Sequence, residues 1–368
     1  MDKMPKWADV ALIPFLNLLI AFVLSGLVIF AIGENPFKAL MTMIDGAFGS
    51  TYGWGYTLYY TTNFIFTGLA VSIAFKAAMF NIGGEGQAMI GGLGVGLACL
   101  FIPSVLMPHW SIALIFAMIA GGLFGAGWAL IPAYLQAKRG SHVVITTIMF
   151  NFIATALMGY LLIKPLKLKG AQESASASFP DVTNLPTLHE LLAPLGISFS
   201  KSAPANVSLF VALAMCVVVY LLMNRSRLGY EIRAFGESPT ASVYAGISPT
   251  KIIIVAMMLS GAISGLMAIN ATMGQHERLI LNAVEGAGFI GIAVALMGRN
   301  HPFGVLLAAL LFGFLYQGGS ELSLWSKIPR ELIVVIQGLV ILFTGALDNM
   351  VRMPVERMFI AAAKRKDA

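Results

Sequence analysis

The chain has 368 residues, of which 58% are hydrophobic and only 11% charged, and its mean hydropathy is +0.84. Soluble domains carry about 25% charged residues, so the composition excludes a soluble enzyme and indicates a polytopic membrane protein. The net charge of +6 does not point to nucleic acid, because the basic residues sit in loops between apolar runs, as the positive-inside rule requires.

The apolar runs are long and continuous, which points to helices and not to the alternating strands of a transmembrane barrel. Spans are expected near 12–32, 59–79, 87–102, 111–131, 143–163, 207–223, 251–272, 286–298, 302–317 and 331–347. The fold class is therefore all-α, with about ten transmembrane helices in a single transmembrane domain over 1–350 and a basic tail over 351–368. The N-terminal run is too long for a signal-peptide core and is expected to be retained as the first span. Cys99 and Cys216 lie inside apolar runs and are expected to be buried thiols, not a disulfide.

Charge sets the expected orientation. With the N-terminus inside, the cytoplasmic segments hold Lys3, Lys6, Lys138, Arg139, Arg225, Arg227, Arg233, Arg299, Arg352, Arg357 and Lys364 to Lys366. The opposite side keeps Lys38, Lys164, Lys167, Lys169, Lys201, Arg278, Lys327 and Arg330. Both termini are then cytoplasmic. Residues 33–58 and 164–206 become outer segments, the second reading as loop with one short amphipathic piece at Leu188–Leu192. The aromatics in 52–60 fit an interfacial belt or a surface on which a sugar or base stacks.

The stretch Met79–Gly96, MFNIGGEGQAMIGGLGVG, departs most from bilayer filling. It carries seven glycines with Glu85 and Gln87, although each glycine costs a helix roughly 1 kcal/mol relative to alanine and an intramembrane carboxylate costs about 2.5–3.5 kcal/mol. Such a segment is expected to be a broken or tightly packed helix beside a polar path. Asn81, Glu85, Gly86 and Gly91 recur as Asn282, Glu285, Gly286 and Gly291, with a one-residue slip at the asparagine. Five spans per half places the halves, about 10–165 and 205–350, in opposite orientations. That is the inverted-repeat plan, with a site between repeats near the midplane. Glu85 and Glu285 are expected either to bond the backbone of broken helices and line the path or to sit as ordinary helix-end residues. The rows Gly91, Gly92, Gly94, Gly96 and Gly121, Gly122, Gly125, Gly127 read as helix-packing faces.

In the inner segment 224–250, NRSRLGYEIRAFGESPTASVYAGISPT, Ser238 is an N-cap, Pro239 suits the first turn and Gly246 the C-terminal stop. A short helix over about 239–245 is expected, presenting Ala241, Val243, Tyr244 and Ala245. A two-turn helix is marginal alone in water and must dock, on its own membrane domain or on a cytoplasmic partner. The sequence has no P-loop. The five histidines show no metal-ligand spacing, and no protease constellation is evident.

FNIGGEGQ at 80–87, together with GYEIRAFGESPTASVYAGIS at 229–248, resembles the permease subunit of bacterial ATP-binding cassette importers. The closer similarity is to the branched-chain amino acid and sugar permease superfamily, in its nucleoside and simple-sugar subgroup. The resemblance implies a separate ATPase that binds ATP and Mg, no cofactor in this chain, and a second permease or second copy completing the pore. It also implies an extracytoplasmic substrate-binding protein, often a lipoprotein of the basic membrane protein family; by position alone, the outer loop 164–206 is where it is expected to touch. Asn81, Gly83, Gly84, Glu85, Gly86 and Gln87 would belong to the translocation path, with Asn282, Glu285 and Gly286 as their echo. Glu231, Arg233, Gly236, Glu237, Ser238, Pro239, Ala241, Tyr244 and Gly246 would belong to the coupling segment. A secondary transporter or channel for a small polar solute explains broken helices and an inverted repeat equally well, but has no need of a capped inner helix.

Overall fold

The computed structural model describes residues 5, 8, 12–170, 172–325, 328, 330–343 and 348–366. Lys3, Lys6 and Lys327 of the charge count, residues 344–347 of the last expected span and 367–368 of the tail lie outside the described residues, as do the side chains of Arg330 and Lys364 to Lys366.

In chain order the helices are α1 (Ile13–Ala31), α2 (Pro36–Phe48), α3 (Thr51–Lys76), α4 (Gly84–Phe101), α5 (Trp110–Arg139), α6 (Val143–Ile163), α7 (Leu188–Leu192), α8 (Ser208–Arg225), α9 (Arg227–Glu237), α10 (Pro239–Tyr244), α11 (Pro249–Leu266), α12 (Ala287–Met297), α13 (Pro302–Trp325), α14 (Arg330–Ile341) and α15 (Asp348–Lys366). No sheet forms among the described residues; two isolated bridges, Ala175–Ile280 and Thr187–Asn206, tie loops together. Among the described residues, seven helices are long and apolar enough to cross a membrane. The protein is an all-α polytopic membrane protein.

The expected spans fall on α1, α3, α4, α5, α6, α8, α11, α12, α13 and α14, with three departures. Residues 33–58 are mostly helical: α2 is capped by the Asn35 side chain, which accepts from the Phe37 and Lys38 amides, and α3 begins at Thr51, eight residues before the expected start at 59. Residues 227–237 form α9, capped by Ser226, where the sequence reads as loop. Beyond Leu266 the chain continues as a π-helical segment, Ile269–His276, a form that concentrates at functional sites.

The chain divides into two compact units. The larger, Thr51–Gly313, has α3, α4 and α11 at its centre. The spans on α3 and α11 are 83% and 72% buried, against 28% for α5, α6 and α8. Small residues bring these helices together. A Cβ at Gly91 of α4 would collide with the backbone of Gly265 in α11, and one at Gly125 of α5 with the backbone of Gly261. The glycine rows therefore pack helices as expected, except at Gly127, where nothing lies within 4 Å.

In the same unit, segment 164–206 is strapped to the chain after the π segment. The Ser176 amide donates to the Leu279 carbonyl (3.0 Å) and the Phe179 amide to the Glu277 carbonyl (2.7 Å). The Leu279 amide returns to Ser176 Oγ (2.9 Å). Within the segment, α7 sits at the expected Leu188–Leu192, closed by a reciprocal Thr187–Glu190 capping box. Cys99 and Cys216 are free and buried.

The smaller unit joins 1–50 to 314–368. In it α1 packs on α2, α14 and α15, and Gln317 Nε2 donates to the Gly46 carbonyl (3.5 Å). An apolar cavity of about 510 Å³ lies between α1 and α2, lined by Val23, Leu27, Pro36, Leu40 and Ile336 among others. With no polar side chain but Ser25 in its lining, it offers a hydrophilic solute nothing to bond.

Candidate translocation site

After α3 ends at Lys76 the chain turns through Ala78, at φ +55°, and runs non-helical to Gly83. The buried Asn81 organises this stretch. Its Nδ2 donates to Gln87 Oε1 (2.9 Å) and to Ser260 Oγ of α11 (2.9 Å). Its Oδ1 accepts from the Gly83 amide (2.9 Å) and from Gln87 Nε2 (3.1 Å). Asn81 and Gln87 thus form a reciprocal amide pair that opens α4. Asn151 of α6 braces it from the other side: its Oδ1 accepts from the Gly86 amide (2.9 Å) and its Nδ2 donates to the Ile82 carbonyl (2.9 Å). Ser264 of α11 donates to the Gly84 carbonyl (2.7 Å). The Gly83 and Gly86 amides and the Ile82 and Gly84 carbonyls are thus met by buried side chains, as irregular backbone within a membrane bundle requires.

The start of α4 meets the start of α12. Glu85 Oε1 accepts from the Gly286 amide (3.0 Å) and Oε2 from the Gly288 amide (2.9 Å). A carboxylate thereby caps the positive end of a second helix while standing in the first turn of its own, favourable at both dipoles. Gly286, at φ +81°, turns the chain into α12 in a conformation a side chain would strain. Gly288 lies so close to Gly84 and Glu85 that any Cβ there would strike their backbone. Helix α12 has only 11 residues, about 16 Å of helix, roughly half of a 30 Å hydrocarbon core.

Depth follows from the long helices alongside. Ser264 stands about 22 Å along α11 from Pro249, and Thr67, packed against Gly291 of α12, stands about 14 Å from the Lys76 end of α3. Both distances run from the end of the bundle that carries α9. The meeting point of α4 and α12 therefore lies well inside the bundle, away from its α9 end. The pairings echo one another: Gly91 of α4 packs on Gly265 of α11, and Gly291 of α12 packs on Thr67 of α3.

Glu85 and Glu285 play different parts. Glu85 bonds the backbone of a broken helix, as one reading expects. Glu285, at φ +51°, is exposed, as is Asn282. Sequence reading missed Asn151, Ser260 and Ser264, and also Asn270 of the π segment. Asn270 Nδ2 donates to the Tyr59 carbonyl (3.0 Å) and to Asn63 Oδ1 (2.7 Å), while its Oδ1 accepts from Asn206 Nδ2 (3.0 Å) and Ser208 Oγ (2.7 Å). The available signal is an amide within an apolar run, as in TTIMFNFIATA around Asn151.

At the α9 end, Gly236 lies against the backbone of Lys76 and Ala78, and a Cβ there would run into the Lys76 carbonyl oxygen. Ile232 and Phe235 face inward. Glu231 pairs with Arg227 (2.9 Å) and with Lys251 of α11 (3.7 Å), and Arg233 Nε donates to the Gly229 carbonyl (3.4 Å). Ser238 caps α10, accepting from the Ala241 amide (3.3 Å), and Gly246 closes it at φ +78°, both as expected. Ser242 is buried, whereas Glu237, Pro239, Ala241, Val243 and Tyr244 are exposed, Tyr244 to 95%.

Residues 54–345 match the family described as "Branched-chain amino acid transport system / permease component". The chain belongs to this permease family. It is 34% identical over 344 residues to the guanosine ABC transporter permease protein NupP of Bacillus subtilis, covering 91% of this chain and 93% of that one. It is 35% identical over 332 residues to the glucose ABC transporter permease protein TsgB13 of Haloferax volcanii, covering 90% and 86%. It is 32% identical over 342 residues to the nucleoside ABC transporter permease protein NupB of Lactococcus lactis, covering 90% of each. The chain is thus a permease component, a transport subunit and not an enzyme.

Proposed function

We propose that this permease forms half of the translocation path of an ATP-binding cassette importer for nucleosides or simple sugars. The site residues are Asn81, Gly83, Gly84, Glu85, Gly86 and Gln87 with Asn282, Glu285 and Gly286, and the two halves of the chain form an inverted repeat around the α4–α12 junction. The observation that carries the reading is a continuous mechanical line. The exposed helix α10 continues from α9, and Gly236 of α9 abuts the turn after Lys76, five residues before Asn81. A push on α10 reaches the start of α4 through packed backbone.

An ATPase subunit docks on α10, binding ATP and Mg itself, and no cofactor resides in this chain. A second permease, homologous or a second copy, completes the pore. An extracytoplasmic binding protein, of lipoprotein type, delivers solute at segment 164–206. The setting is the bacterial cytoplasmic membrane with both termini in the cytoplasm and lipid around the bundle; nucleic acid has no role. The substrate class is supported by the names of the three relatives, which act on glucose, guanosine and nucleosides. ATP supplies the differential energy between outward- and inward-open states, since a site of equal affinity in both shifts nothing.

An uncoupled carrier would have no use for Tyr244, large, aromatic and almost wholly in solvent. Ala241→Asp places a charge on the docking face and keeps the backbone amide that bonds Ser238 Oγ. Uptake and substrate-linked ATPase activity are expected to be lost while the protein still reaches the membrane, as measured by solute uptake and membrane immunoblot. Uptake at the unsubstituted rate would remove the coupling assignment.

A further inference from the structure

The cavity between α1 and α2 is an open-sided groove within the smaller unit. Its α1 wall is the stripe Leu19, Val23, Leu27 and Phe30, and Phe37 and Leu40 stand on its α2 wall. These six side chains are exposed, while Ser25, Ile29 and Ile336 beneath them are buried. The one hydroxyl of the lining, on Ser25, donates to the Ala21 carbonyl of its own helix (2.7 Å). A Cβ at Gly26 would meet only Pro36 Cβ, at 3.5 Å, so the missing side chain there keeps the groove open.

Dimensions select the occupant. From Leu19 to Phe30 the stripe covers about 16 Å of helix, half of a hydrocarbon core of about 30 Å. The groove ends at the turn between α1 and α2, which carries Glu34 and Asn35 and leads into Lys38. Charged side chains are penalised in hydrocarbon, so this end stands at the membrane surface and the other reaches the middle of the bilayer. A cavity of about 510 Å³ spread over that length has a cross-section of roughly 30 Å², less than half of what a helix about 10 Å across requires. One leaflet deep, apolar and too narrow for a helix, the groove fits a single acyl chain.

The surface end adds charge complementarity. Asn35 Oδ1 already accepts from the Phe37 and Lys38 amides (2.9 and 3.2 Å), so recognition there falls to side chains. Glu34 and Lys38 flank the lining residues Pro36 and Phe37, and neither side chain has an ion-pair or hydrogen-bond partner among the described residues. A carboxylate and an ammonium at one turn complement a headgroup that carries an ammonium and a phosphate.

We infer that this groove binds one zwitterionic phospholipid, with an acyl chain along α1 from Leu19 to Phe30 and the headgroup at Glu34 and Lys38. The chain completes the packing of α1 on α2. The inference needs the membrane fold alone and is independent of the solute.

The test uses the full chain, with the subunits that purify with it, in nanodiscs of equal parts phosphatidylethanolamine and phosphatidylglycerol. A trace of either lipid carries a photoactivatable diazirine at mid-chain. The phosphatidylethanolamine probe is expected to label peptides covering 19–43 at one adduct per chain, and the phosphatidylglycerol probe several-fold less. Gly26→Leu and Leu40→Trp grow into the groove and should each cut this labelling about ten-fold, the effect of displacing two methylenes. Phe152→Trp, on the exposed face of α6, should leave it unchanged. Lys38→Gln should weaken labelling by the phosphatidylethanolamine probe, and Glu34→Gln should bring the two probes closer together. If Gly26→Leu does not reach the membrane, Leu40→Trp reads the same space.

Label spread evenly over α1, α5, α6 and α8 would mean annular lipid only and overturns the site. Labelling unchanged in both filled variants, equal labelling by the two probes, or a co-purifying subunit cross-linked to 19–43 in place of lipid overturns it as well.

Discussion

Replacing Glu85 with alanine is expected to cause the largest loss that a single side chain can produce in this protein. The carboxylate accepts from the Gly286 and Gly288 amides at 3.0 and 2.9 Å, and its removal takes the partner from a buried donor at Gly288 and a half-buried one at Gly286, a loss of about 1–3 kcal/mol for the buried group. A loss of only 2 kcal/mol already shifts a two-state population roughly thirty-fold. Glu85→Ala should lower the thermal midpoint of the purified importer and reduce uptake by at least ten-fold. Glu85→Gln keeps the shape and one acceptor but turns an NH2 toward the second amide, so it should fall between the two. Glu85→Asp keeps the charge but is one methylene shorter, and cannot reach both amides without moving α4. The order glutamate, glutamine, alanine in both melting and uptake is the expected signature. An alanine variant that melts and transports like the unsubstituted protein would show that the α4–α12 junction is held by packing alone.

The second large effect belongs to Gly236. Its Cα approaches the Lys76–Ala78 backbone so closely that any side chain must displace α9 from α3. Gly236→Val is expected to abolish uptake and to disconnect ATP hydrolysis from solute, while the chain remains in the membrane. Gly246→Ala is the matched control. It meets nothing within 4 Å, but its φ of +78° imposes a strain of about 1–2 kcal/mol on a residue with a Cβ. If coupling runs through the Gly236 contact, the valine variant fails while the alanine control keeps a substantial share of uptake. Equal loss in both would mean that the segment is merely fragile, and that Gly236 carries no motion.

The parts of the fold legible in the sequence are those whose cause is local. The cap of α10 is written in Ser238, Pro239 and Gly246, and the break before α4 in a carboxylate and clustered glycines amid apolar residues. Helices α2 and α9 were not legible. Nor were the first two turns of α3, whose aromatic residues read as an interfacial belt until the larger unit buries Gly53, Gly55 and Thr57 beneath them. Gly229 and Gly236 look like breakers until α8 and α3 are seen pressed against them. The polar brackets around the motif were hidden for a different reason. Asn151 lies 65 residues from Gly86 and Ser264 lies 180 from Gly84, and no spacing rule links such pairs. The echo between 81–91 and 282–291 suggested equivalent glutamates. Glu85 bonds the Gly286 and Gly288 amides of the other helix, whereas Glu285 is exposed on the turn before α12, a division that similarity between the two stretches cannot reveal.

Everything proposed for coupling requires that the energy of transport enter through α10 from another subunit. The direct measurement is solute accumulation in sealed vesicles, comparing this chain alone with the same chain assembled with its ATPase, second permease and binding protein, each with and without ATP. Accumulation against a gradient is expected only in the assembled vesicles supplied with ATP. Uphill accumulation by this chain alone, without nucleotide, would contradict the account.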